Sequence, residues 1–131
     1  MNNKIIPREY YKTFILAGKA DFVAHCALTN NSVHFFVRKR KESDMYNVYI
    51  WNDGWYHIAC YFDNIMHVYT ESKQYRNALK AVFSFDKAPN WLTLTHCDRC
   101  PRCGRKVSKS RYGFGEECWK KTFEQLKWRY E

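Results

Sequence analysis

At 131 residues, 46% of them hydrophobic and 18% aromatic, the chain has room for one domain, or for a small domain with a metal-stapled appendage, and enough apolar surface for a packed core. It contains 22 Lys and Arg against 13 Asp and Glu, a net charge of +9, which favours polyanionic partners or acidic protein surfaces. No run of 18 apolar residues marks a membrane span and the N-terminal MNNKIIPREYY lacks the apolar centre of a secretion signal, so a soluble, cytoplasmic protein without membrane contact is expected.

Pro7 stands where a first helical position would be, and Tyr10, Tyr11, Phe14 and Ile15 share one face before Gly18, which predicts a short helix over about 7–17. From Asp21 the period changes to two. Segments 20–28, 33–40, 46–51, 55–62 and 65–70 are rich in β-branched and aromatic residues, and turn residues separate them. Asp53-Gly54 is a favoured two-residue hairpin loop, and Arg38-Lys39-Arg40-Lys41 lies in a charged hairpin tip that offers a second phosphate or partner contact. Five strands in an antiparallel meander, with flanking helices, give an α+β class. Ser72 caps a predicted helix whose residues Tyr75, Ala78, Leu79, Val82 and Phe83 form one apolar stripe. Pro89 and Asn90 break that helix, and Trp91-Leu92-Thr93-Leu94 leads on as a short extended piece. A last helix places Trp119, Phe123, Leu126 and Tyr130 on one stripe and turns Trp128 outward. The expected division is an α+β domain over 1–95 and a metal-stapled segment with a C-terminal helix over 96–131.

The stretch from His96 to Cys118 concentrates the chemistry. It holds four of the six cysteines and one of the five histidines. Cys100-Pro101-Arg102-Cys103-Gly104 has the form of a zinc knuckle: two residues between thiolates allow a turn that aims both sulfurs at one ion. Gly104 can take the positive φ at which the chain leaves the second sulfur. Cys118 supplies a third thiolate from the first turn of the last helix, where the helix dipole favours negative charge. The fourth ligand is His96 or Cys97. Four protein ligands leave no position for substrate, so the Zn(2+) expected here is structural. Gly113-Phe114-Gly115 lacks the third glycine and preceding strand of a nucleotide loop. Cys26 and Cys60 read as small buried residues of strands, and His25, His34, His57 and His67 as packing or surface residues.

Residues 97–131 carry ten basic and five acidic side chains, so positive charge is densest around the metal segment. Arg99, Arg102, Arg105, Lys106, Lys109 and Arg111 could contact phosphates, and Tyr112 and Phe114 are interleaved with them; a solvated loop would carry the same charges.

The order His96, Cys100, Cys103, Gly104, Arg105, then Ser110, then Gly113, Gly115 and Cys118 resembles a family of small phage and prophage domains of unknown function. Ala17-Gly18 before Lys19-Ala20-Asp21-Phe22-Val23 is similar to its N-terminal part. The resemblance implies His96 as the fourth ligand, with Cys97 an extra thiol near the site. It also implies a phage-encoded accessory protein that binds and inhibits a host nucleic-acid-handling complex, for example a CRISPR-type defence effector. In that reading Trp128 is an interface anchor, and the partner is a host protein or ribonucleoprotein. The alternative is direct nucleic-acid binding by the basic and aromatic zinc loop. No paired acid and base, nucleophile elbow or open metal site stands out, so a non-enzymatic protein is expected.

Overall fold

The computed structural model describes residues 4–107 and 111–124, and it is built on one antiparallel sheet. After a 3-10 turn at Arg8–Tyr10 comes α1, Tyr11–Ile15, followed by β1 Lys19–Cys26, β2 Asn31–Lys39, β3 Tyr46–Trp51, β4 Trp55–Phe62 and β5 Ile65–Val68. The helix α2, Lys73–Val82, has its first turn capped by the Ser72 hydroxyl, which accepts from the Tyr75 N–H at 3.3 Å. Strand β6, Leu92–His96, then leads to the cysteine segment and to α3, Glu116–Trp119, which continues as a π-helical turn through Glu124.

Antiparallel pairing in the expected meander is present, but the strand count needs one correction. The piece after Asn90, expected only as an extended lead-in, is a sixth strand that pairs antiparallel with β1, giving the order β5-β4-β3-β2-β1-β6. Leu92, Leu94 and His96 alternate with half-buried threonines, so the strand fits a free sheet edge with its apolar side inward. The N-terminal helix, expected over about 7–17, is a 3-10 turn at Arg8–Tyr10 followed by α1, and it ends at Ile15; Gly18, at φ +126°, then turns the chain into β1.

Period-two alternation assigns the two faces. Ala20, Phe22 and Ala24 of β1, Val33, Phe35 and Val37 of β2, and Val48 and Ile50 of β3 are buried with Leu92 and Leu94, and they pack with Tyr11, Phe14, Ile15, Leu79 and Val82 from the helices. Phe14, Phe22 and Phe35 have no exposed surface. Burying each such ring fully contributes about 1.5–3 kcal/mol. The other face carries Lys19, Asp21, Val23 and His25 opposite Arg38, Phe36, His34 and Ser32. Beyond a register shift at Val48/Tyr49, the pairs Tyr49–His57 and Trp51–Trp55 extend this face. Among the described residues, helices cover only the first face. Among the described residues no helix is long and apolar enough to cross a membrane.

Candidate metal centre and aromatic sheet face

Leaving β6, the chain turns at Asp98, which has φ +58°, and closes a tight hairpin. Cys100 N–H donates to Arg105 O at 2.9 Å, Gly104 N–H to Cys100 O at 2.8 Å and Val107 N–H to Asp98 O at 2.9 Å. Gly104 adopts φ +79°, the conformation expected of it after the second thiol. The turn is tied to the sheet by Lys19 N–H, which donates to Pro101 O at 2.6 Å.

A second tight turn delivers Cys118. Arg111 and Phe114 exchange backbone hydrogen bonds of 3.0 Å in each direction across Tyr112 and Gly113. Phe114 is fully buried, edge-on to Phe14 at 5.9 Å, Trp119 at 6.0 Å and Phe123 at 5.4 Å. Those rings anchor α3, whose first turn holds Cys118. The sulfurs of Cys100, Cys103 and Cys118 all lie within 4.8 Å of one another, and all three thiols are free of disulfides. Sulfurs around one tetrahedral ion with bonds of about 2.3 Å stand some 3.8 Å apart, so this cluster could hold a metal.

The surroundings act on the three thiols unequally. Burial raises Cys103, but the Arg105 backbone N–H, the neighbouring thiols and the Arg105 charge outweigh it and leave the group lowered. Cys118 is raised, chiefly by burial, against the Arg102 guanidinium, which approaches its sulfur at 3.7 Å.

Neither residue considered for the fourth position belongs to that group of three. His96 and Cys97 are adjacent at the end of a strand and so point to opposite faces. His96 lies on the core side, 3% exposed, and its Nδ1 accepts from the Asp98 N–H at 3.1 Å. Cys97 lies on the outer side, where Asp21, His34 and Cys97 form a second group of donors within 4.8 Å. The Cys97 thiol is pushed up to about 12, mainly by burial and then by the Asp21 charge.

The basic residues of the metal segment that can be described are all exposed: Arg99, Arg102, Arg105, Lys106 and Arg111. Tyr112 is 43% exposed and leans on Tyr10, ring centres 5.2 Å apart, while the Arg111 guanidinium lies 5.7 Å from the centre of the Trp119 ring. Phe114, read beside Tyr112 as a possible stacking surface, is instead core. Arg38 and Lys39 close β2, and Arg40 and Lys41 follow in an exposed turn where Arg40 donates to the Met45 sulfur at 3.1 Å. Lys109, Ser110, Leu126, Trp128 and Tyr130 lie outside the described residues.

The outer sheet face carries a feature the sequence reading passed over. Rings touch one another across β2, β3 and β4 and on to Tyr69, the residue after β5: Trp51–Trp55 at 5.3 Å, Trp55–Phe36 at 5.7 Å, Phe36–Tyr49 at 6.3 Å, Tyr49–His57 at 5.0 Å and His57–Tyr69 at 5.2 Å. Trp51, Trp55 and Tyr69 are exposed by 50%, 43% and 58%. Beside Trp55 and Phe36, a cavity of about 540 Å³ is lined by Lys19, Arg38 and Arg99, with Asp21 and Cys103. One signal could have found this face: at the outward positions of β2 to β4 the sequence has aromatics where a solvated sheet would have small polar residues.

Comparison with known protein families, curated proteins and solved structures finds no match to this chain, so the likeness to phage-associated domains rests on the sequence pattern alone.

Proposed function

We propose that the chain is a zinc-stapled binding module that holds single-stranded nucleic acid on the open face of its sheet. The observation that carries this reading is the connected run of rings from Trp51 to Tyr69, bordered at Trp55 by the cations Lys19, Arg38 and Arg99. Exposed rings offer unpaired bases a surface for stacking at about 1–3 kcal/mol per base, and the adjacent cations supply phosphate contacts. Duplex bases are already stacked and cannot use such a surface. The metal segment serves this reading by placing Arg99 beside the face and by adding positive charge along its rim.

In the same reading the ion at Cys100, Cys103 and Cys118 is zinc, whose role is to cross-link the hairpin and α3. His96 is buried, as Cys100 and Cys118 are, whereas Cys97 is half-buried beside Asp21 and His34, and this favours His96 as the fourth ligand. Such a site can supply on the order of 10 kcal/mol to local folding.

Fluorescence anisotropy with labelled 12-nucleotide single strands of RNA and DNA, and the matching duplexes, tests the proposal. Single strands bind, duplexes bind at least tenfold more weakly, and affinity falls steeply with salt. Trp55→Ala weakens binding by about 5- to 150-fold, the equivalent of one lost stacking contact. Equal binding by Trp55→Ala and the unaltered protein sinks the sheet-face reading. A salt-tolerant stoichiometric complex with a host protein, recovered after nuclease treatment, would instead favour the accessory inhibitor that the resemblance implies.

A further inference from the structure

Two strands and the residue following a third bring three different metal-binding groups to one point on the outer face, away from the Cys100 cluster. Asp21 comes from β1, His34 from β2, and Cys97 from the residue after β6. Val23 pairs with His34 and with Thr95, so Asp21 and Cys97, two residues along from Val23 and Thr95, lie alongside the row that ends in His34.

The contacts converge on a single atom. Nε2 of His34 is hydrogen-bonded to Asp21 Oδ1 and also lies 3.7 Å from Cys97 Sγ. A relay of the nucleophile–imidazole–carboxylate kind needs the two partners on the two different ring nitrogens. Here both face the same one, so an ion that replaces the proton shared by His34 and Asp21 would meet a carboxylate, an imidazole and a thiolate at one centre. Around a tetrahedral ion with bonds of about 2.05 Å to nitrogen and 2.3 Å to sulfur, the N···S distance is about 3.6 Å, close to the spacing present. The ring is held from the side by Trp55, whose centre lies 5.0 Å away, edge-on. Asp21 is 8% exposed, so its carboxylate is largely removed from water.

We propose that Asp21, His34 and Cys97 form a second metal site, for a divalent ion of the zinc class, with its fourth position open. One carboxylate and one thiolate balance a dication, and a mixed oxygen, nitrogen and sulfur set suits zinc or cobalt better than magnesium or calcium. Three protein ligands leave a coordination position for an outside oxygen ligand. Asp21 and Trp55 also line the cavity containing Lys19, Arg38 and Arg99, so an anionic oxygen entering from there would meet positive charge beside the ion.

Cobalt(II) titration of the reduced, metal-stripped protein tests this site, with bound equivalents read by visible absorption and native mass spectrometry. Cys97→Ser and His34→Gln should each bind one equivalent fewer than the unaltered chain, with far-ultraviolet circular dichroism unchanged. The difference is independent of whether the Cys100 cluster loads, because both variants retain that cluster. If either folded variant binds as many equivalents as the unaltered protein, the site does not exist. Should Cys97→Ser fail to fold, His34→Gln alone decides by the same criterion, and Asp21→Asn, nearly isosteric, must then weaken the lost equivalent at least tenfold; unchanged affinity overturns the assignment.

Discussion

Replacing Gly113 with alanine adds one methyl group at the point where the cysteine segment meets the body of the fold. Gly113 has φ +95°, a region that an L-residue enters at a cost of about 1–2 kcal/mol. A Cβ there would stand 2.7 Å from Phe14 Cε2 and 3.1 Å from His96 Cβ and Cγ. Phe14 is fully buried and His96 nearly so, which leaves neither ring a route into solvent. Forcing a methyl into such a contact adds about 1–3 kcal/mol, for a total of about 2–5 kcal/mol. Gly54 is the matched control. It has φ +149° with nothing within 4 Å of an added Cβ, so Gly54→Ala carries the backbone cost without the clash. Urea unfolding followed by tryptophan fluorescence, in zinc-saturating buffer, gives both values. Equal losses for the two variants, within about 0.5 kcal/mol, would refute the packing of Gly113 between Phe14 and His96, because the overpacking contribution must appear as their difference.

Chelation and thiol removal probe the same region by another route. Chelator treatment of the zinc-loaded protein, or replacing Cys118 with serine, should raise amide hydrogen exchange over 111–119 while leaving β1 to β4 protected, since their core is built from sheet and helix side chains. Tyr46 provides a pH-dependent test. Its hydroxyl donates to Leu16 O at 3.0 Å, and burial, with Asp44 nearby, raises its pKa above the ordinary 10.0. With the folded value above the unfolded one, its contribution is fully present below pH 10 and is lost as pH rises through the folded value. Tyr46→Phe should therefore cost about 1 kcal/mol at pH 7 and flatten the alkaline limb of the stability profile, measured by urea midpoints between pH 7 and 11.

Much of the architecture is legible in local pattern. Asp53-Gly54 marks a hairpin, Ser72 caps its helix, and the alternation in 33–40 and 46–51 separates buried from outward positions, because these signals depend on residues a few positions apart. The Cys100–Cys103 spacing is of the same kind, and the third thiol, Cys118, meets them as expected. The sixth strand was not legible, since its partner β1 lies far back in the chain and only closure of the sheet brings the two together.

Sequence by itself determined that this chain has an α+β fold with an antiparallel sheet and a cysteine cluster with metal spacing, all of which follow from short-range periodicity and ligand separation. Tertiary structure alone decided what the outward positions amount to. Trp51, Trp55, Phe36 and Tyr49 become one surface only when three strands are in register, and Asp21, His34 and Cys97 become neighbours only when β1 sits between β2 and β6. It also separated His96 from Cys97. Adjacent residues at a strand end must face opposite sides of a sheet, but which side is the core depends on where the helices pack.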